Sequence, residues 1–347
     1  MDNALTTRPH SAVDKTSQTL QPGSIAHNTK RMYCHATTHF LNWCEKIDQA
    51  AQTSGDLDGV LMQAAVRFHG KHVTPEEINQ YLTHLHLNGK SPASIASVLT
   101  AIKFMARHTG TSIDFLPADT TLKGIKRNAE AQARGRGQAT GIKVDDAITM
   151  ATIADSPAHT SPTDSKETPE KAWIRRARDA AIILTMSNGL LRISEVGAIL
   201  CEHISTRENG SGSLLIPRLK TDQEAEGREV YLQKRTIKAI EKYQRLSGVS
   251  DGPLFRRIYQ NSKMGKDALG ITAIRDMIKD VAEKAQIDVT GISGHSFRVG
   301  TAQTLVEKKA TMLQLQTAGR WKDTRMPARY TEKEELAKGV IATILGE

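Results

Sequence analysis

Cysteine is scarce in this chain: Cys34, Cys44 and Cys201 are the only three in 347 residues. Three thiols form no even-numbered disulfide framework, and each lies in a helix-like apolar pattern, so the reading is a reduced, intracellular protein without disulfides. Long apolar runs are missing as well. The most apolar stretch, Ala180 to Met186, falls far short of the roughly 18 residues that suggest a membrane span. The N-terminus lacks a charged segment followed by an apolar run and a cleavage site. Together these absences predict a cytoplasmic protein with no membrane contact. There is no Gly-x-x-x-x-Gly-Lys loop to cradle a nucleotide phosphate and no carboxylate cluster for a metal, so no cofactor is expected. No repeat of fixed period and no low-complexity tract occurs.

What the chain does have is positive charge. It carries 47 Lys and Arg against 38 Asp and Glu, a net charge of +9. That excess suits a polyanionic partner such as nucleic acid, although charge alone describes a merely basic soluble protein equally well. The length exceeds the usual single-domain range of about 100 to 200 residues, so two domains are expected.

Residues 1–22 are polar and without period, which predicts a flexible arm. Residues 23–117 read as an all-helical domain. Met32, Ala36, Phe40 and Trp43 share one helical face. Thr74-Pro75-Glu76-Glu77 is a helix start, with Thr74 as cap, Pro75 at the first position and Glu77 able to reach back. Ser91-Pro92 starts another helix, carried by Ile95, Leu99, Ile102 and Met105 and ended by Gly110. Residues 118–140 lose the apolar period and are rich in Arg, Lys and Gly, which predicts a basic interdomain linker.

The second domain, 141–332, is mainly helical with a small β-sheet. Asp155 to Lys171 reads as a long exposed loop. A helix from about Ala172 ends near Asn188-Gly189, and Ser194 is the expected cap of the next. Ser213 to Thr221 and Val230 to Leu232 read as strands around a polar turn. Residues 333–347 read as a C-terminal helix, with Leu336, Val340, Ile341 and Leu345 on one stripe.

Five motifs in the second domain occur in one order: Gly189-Leu-Leu-Arg192-Ile-Ser-Glu195, Arg218-Leu-Lys220-Thr221, Gly294-His295-Ser-Phe-Arg298-Val-Gly, Ala318-Gly319-Arg320-Trp321, and Tyr330 nine residues further on. In this the chain resembles the tyrosine recombinases, or phage integrases, and in its tryptophan at 321 their Cre-like members. The resemblance covers residues 24–347, with strong motifs in the second domain and only a helical pattern in the first. It implies a helical core-binding domain followed by an α+β catalytic domain. The implied activity is site-specific cleavage and rejoining of double-stranded DNA through a 3′-phosphotyrosine, for integration, excision or resolution. It also implies assembly on DNA as a dimer per site and a tetramer in synapsis.

The residue types suit that chemistry. Cleaving a phosphodiester without a metal needs another way to neutralise charge on the non-bridging oxygens, and guanidinium forks provide it. Arg192 and Arg298 are the candidates, since each is embedded among apolar helical residues where an unpaired charge is costly unless an anion arrives. A lone arginine is usually a surface residue with its stem on apolar neighbours.

His295 stands three residues before Arg298 and would share its helix face, where a neutral imidazole can take a proton; a lone histidine is more often structural. By resemblance His295 assists activation of the tyrosine, and Lys220 protonates the departing 5′ hydroxyl, with Lys234 a competitor in the wrong register. Glu195 would orient Arg192 as a supporting residue. Trp321 can donate its indole N–H to a phosphate oxygen or simply pack. Arg320 is a nearby cation with no assigned role. Tyr330, by motif position the nucleophile, has a phenol of ordinary pKa near 10 and needs cations or a base to help remove its proton. Pro327 predicts that it sits early in a short helix.

Cys34, His35, His39 and Cys44 have the donor atoms of a zinc site but not its spacing. His84 and His86 read as polar surface. Two alternatives stay open: a DNA-binding regulator or accessory protein that keeps the fold without strand transfer, and a type IB topoisomerase.

Overall fold

The computed structural model describes residues 25–46, 56–131, 138–161, 166–216, 227–259 and 261–337. The chain divides into two compact units, 1–136 and 137–347.

The first unit is built from helices α1 (His27–Glu45), α2 (Leu57–Lys71), α3 (Pro75–Leu87), α4 (Pro92–His108) and α5 (Leu116–Ala131). Local chemistry accounts for the helix starts. The Thr74 hydroxyl accepts from the Glu77 amide while the Glu77 carboxylate accepts from the Thr74 amide, closing the expected capping box ahead of Pro75. The Ser91 hydroxyl caps α4 by accepting from the Ser94 amide, and Gly110 leaves the helix at φ +66°. The core gathers Phe40, Leu41, Leu61, Phe68, Ile78, Tyr81, Leu82, Ile95, Leu99, Ile102 and Met105. Of the face predicted on α1, Ala36 and Phe40 are buried, whereas Met32 and Trp43 are only half-buried. The buried stripe is rotated toward Cys34, Thr37 and Leu41, and Met32 instead lines an open groove with Arg31 and His35.

The expected linker requires correction over its first half. Residues 116–131 form α5, and Ala118, Leu122 and Ile125 enter the core of the first unit. Their i, i+4, i+7 spacing is a helical stripe, hidden by the Lys and Arg residues that fill its exposed side.

The second unit opens with α6 (Val144–Ala154) and α7 (Pro169–Asn188), continues through α8 (Ile193–Val196), and then forms an antiparallel sheet of β1 (Ile204–Thr206), β2 (Gly212–Ile216) and β3 (Arg228–Leu232). Register pairs such as Leu214 with Val230 and Gly212 with Leu232 fix β2 against β3. Next come α9 (Lys234–Ser247), a hairpin of β4 (Arg256–Ile258) and β5 (Met264–Ala268), and helices α10 (Ile271–Lys284), α11 (Ser296–Glu307), α12 (Met312–Gly319) and α13 (Arg325–Ala337). The α7 helix is buried along most of its length, its second half through the apolar run Ala180–Ile183 and its first half together with the charges of Arg175, Arg178 and Asp179.

The loop expected to be exposed over 155–171 is partly core. His159 is 1% exposed, its Nε2 lies 3.0 Å from an Asp179 carboxylate oxygen, and its carbonyl accepts from Arg175 and Arg176. The physical reason lies in α7: Arg175, Arg178 and Asp179 are buried there, and buried charges need partners, which His159 and Glu167 of this loop help to supply. The arm at 1–22, the residues from 338 onward and the β2–β3 turn with Lys220 lie outside the described residues.

Candidate active site

The end of α7 shapes the first part of the site. Gly189 caps it, Leu190 takes the left-handed conformation at φ +47°, and the reversal delivers Arg192 to the N-cap position of α8. The predicted cap, Ser194, is instead inside this helix. The Glu195 carboxylate folds back to accept from the Arg192 amide at 2.9 Å and from its Nη1 at 2.6 Å. Arg320 Nη2 donates to the same carboxylate at 3.1 Å. Burial alone would raise the Glu195 pKa, but the Arg192 amide and the guanidinia of Arg320 and Arg192 hold it below the usual carboxylate range.

Arg298 comes from the first turn of α11 and is 1% exposed. Two backbone carbonyls fix this guanidinium in place. Its Nη1 donates to the Leu190 carbonyl at 2.6 Å and its Nη2 to the Gly319 carbonyl, and the Trp321 ring lies 4.4 Å from its Cζ. Burial first, and then the neighbouring charges of Arg192 and Arg320, push its pKa down to about 9, which leaves it cationic at neutral pH. Gly319 is required here because a β-carbon at that position would overlap the Trp321 ring.

Trp321 is 8% exposed and packs with Leu190, Ala302, Val306 and Leu315. The Tyr330 ring meets it edge-on, with centroids 5.9 Å apart at 62°. Tyr330 is the sixth residue of α13, with Pro327 in the first turn as expected. Its carbonyl accepts from Gln138 at 3.3 Å and Gln303 at 3.4 Å, two contacts that seat this helix. His295 stands at the N-cap of α11 rather than within it, and its side chain is exposed while that of Arg298 is buried. The common helix face predicted for the two is therefore only partial.

The site thus brings Arg192, Glu195, Arg298, Trp321 and Tyr330 together, and His295 begins the helix that carries Arg298. Sequence reasoning missed Arg320 as a member, together with Gln138 and Gln303. Its visible signal was a cation beside Trp321; its three partners come from residues about 130 positions away. Three guanidinia against one carboxylate leave this cluster with two net positive charges beside a phenol. Such a pocket suits an anion held beside the phenol, the chemistry of a class of enzymes that act on phosphodiesters.

Comparison with known proteins gives the family. The model of the phage integrase family matches residues 167–336, and that of a phage integrase N-terminal SAM-like domain matches residues 13–111. The chain belongs to this family, the tyrosine site-specific recombinases, and is a DNA strand transferase. It is 23% identical over 291 residues to the recombinase Cre of Escherichia phage P1, covering 78% of this chain and 79% of that one. To an integrase/recombinase XerD homolog of Selenomonas ruminantium it is 22% identical over 331 residues, covering 91% and 84%. Its fold is similar to that of the XerH site-specific recombinase bound to a palindromic difH substrate, with a TM-score of 0.60 at 16% identity over 97% of this chain and 94% of that one. The Tn1549 transposon integrase in complex with transposon right end DNA gives 0.56 at 12% identity, covering 94% and 99%.

Proposed function

We propose that Tyr330 is the nucleophile of this recombinase and that Arg192 and Arg298 hold the scissile phosphate. The Tyr330 hydroxyl attacks phosphorus, the bond to the 5′ oxygen breaks, and the DNA 3′ phosphate remains on the protein as a tyrosine ester. A 5′ hydroxyl from the partner strand then attacks that ester, releasing the phenol. One phosphodiester is exchanged for another, so no nucleotide or metal is consumed.

The single observation that carries this reading is the Trp321 ring in contact with both Arg298, over its face, and Tyr330, edge-on, together with the Arg192–Glu195 pair. The phenol and a buried guanidinium whose position is fixed by two carbonyls thus meet the same indole ring. In a pocket of low dielectric such preorganised cations stabilise the growing charge of the transition state without reorganising. Glu195 keeps Arg192 oriented. Trp321 covers Arg298 and excludes water. His295 assists removal of the phenolic proton, and Lys220, by its motif, protonates the departing 5′ oxygen.

The partner is double-stranded DNA carrying specific recombination sites, met in the cytoplasm. The protein acts as a dimer on each site and as a tetramer when two sites are held together. The outcome is integration, excision or resolution. The test incubates the protein, in EDTA, with plasmids bearing one or two copies of the site it selects from a random library. Covalent adducts and recombinant products that need two copies are expected. Relaxation of a one-site plasmid with no recombinants would favour a type IB topoisomerase, and binding without adducts would favour a regulator.

A further inference from the structure

Arg320 is the one cation of the site that the reaction above leaves without a task, and it is held there at a cost. It follows α12 at φ +54°, the left-handed position at a helix end where glycine is favoured because a side chain is strained. It is also 8% exposed, and its Nε is a buried donor with no hydrogen-bond partner among the described residues. A strained backbone, a buried charge and an unsatisfied donor each oppose folding, so together they point to a role at the site.

Its terminal donors reach the end of α7 and Glu195, and two of these acceptors, the Leu190 carbonyl and the Glu195 carboxylate, also hold the two arginines proposed to bind phosphate. Nη1 donates to the Gly189 carbonyl at 2.9 Å, and Nη2 to the Leu190 carbonyl at 3.3 Å and to Glu195 Oε2 at 3.1 Å. The Leu190 carbonyl is the one that accepts from Arg298, and Leu190 is itself left-handed. The Glu195 carboxylate is the one that fixes Arg192. One planar fork therefore ties together the supports of both arginines, which a single ammonium group could not do.

We propose that Arg320 is a positioning residue for strand cleavage, setting Arg192 through Glu195 and Arg298 through the Leu190 carbonyl. This rests on the phosphate-holding roles proposed above for those two arginines. It follows that Arg320 acts on the rate of cleavage more than on DNA affinity, because phosphate contacts elsewhere on the duplex supply most of the binding.

The experiment measures single-turnover adduct formation, at saturating protein, on a nicked duplex carrying the site that the wild-type protein selects from a random library. Arg320→Gln is expected to slow cleavage roughly 10- to 100-fold, the range typical of losing a residue that orients an active-site group, while duplex affinity barely moves. Arg320→Lys keeps the charge and recovers only part of the rate. In the double variant Arg320→Gln, Glu195→Gln the two rate losses are less than multiplicative, since the route through Glu195 is shared while the route through the Leu190 carbonyl is not. Losses that multiply would overturn the shared support, and an unchanged rate in the folded protein, whatever its melting temperature, would leave Arg320 merely structural. Should Arg320→Gln fail to fold, Arg320→Lys carries the test: a full wild-type rate in it overturns the proposal. Wild-type cleavage with equally fast variants overturns the role of Arg320 alone, whereas no adduct from the wild type overturns the strand-transfer reading beneath it.

Discussion

Replacing Glu195 by glutamine is the most informative single change, because one carboxylate answers to two guanidinia. The substitution keeps the shape and removes the charge that accepts from Arg192 at 2.6 Å and from Arg320 at 3.1 Å. Removing one partner of a buried ion pair costs about 3 to 5 kcal/mol, and since Arg192 is partly exposed the low end, about 3 kcal/mol, applies. In a unit the size of residues 137–347 that amounts to a fall in melting temperature of about 6 to 12 °C. The effect has a pH signature. The folded pKa of Glu195 is depressed, so its stabilisation is present above the ordinary carboxylate range and is lost as pH falls through the folded value. Thermal unfolding followed by circular dichroism should therefore show a full gap between wild type and Glu195→Gln at pH 7, shrinking below about pH 4. A gap of the same size at every pH, or none at neutral pH, would refute the buried-pair reasoning.

Three further outcomes follow from particular contacts. Gly319→Ala should push the Trp321 ring off Arg298, lowering stability by about 1 to 3 kcal/mol and quenching adduct formation; near-UV circular dichroism, which reports the tryptophan environment, checks the displacement. Asp179→Asn removes the charge that Arg178 holds at 2.8 Å and His159 at 3.0 Å, far along α7 from the site, so it should cost about 3 kcal/mol or more of stability while leaving the cleavage rate of the folded fraction unchanged. DNA affinity should fall roughly a thousandfold or more between 50 and 200 mM salt if about 6 to 10 phosphates are neutralised; a flat titration would contradict the use made of the net charge.

Much of this was legible in the sequence, for reasons that can be named. Helix starts such as Thr74-Pro75 and Ser91-Pro92 rest on contacts within three residues, and both are present. The Arg192-x-x-Glu195 pairing is equally local. Helix α5 escaped because its three core residues, Ala118, Leu122 and Ile125, are outnumbered by charges facing solvent. The burial of His159 escaped because it depends on Asp179 and Asp280, 20 and 121 positions away, and no window of sequence contains such partners. Arg320 was visible as a residue but not as a support: its partners lie across the fold, and its left-handed backbone gives no sign in a sequence where glycine would be the expected marker.

The central claim is that Tyr330 carries the DNA between cleavage and rejoining. The direct measurement traps the covalent complex on a nicked duplex in EDTA, digests protein and DNA, and locates the nucleotide-bearing peptide by mass spectrometry. The account predicts a single modified peptide with the DNA 3′ phosphate on Tyr330, and none from Tyr330→Phe. A nucleotide on any other residue, or an adduct that survives Tyr330→Phe, would contradict it.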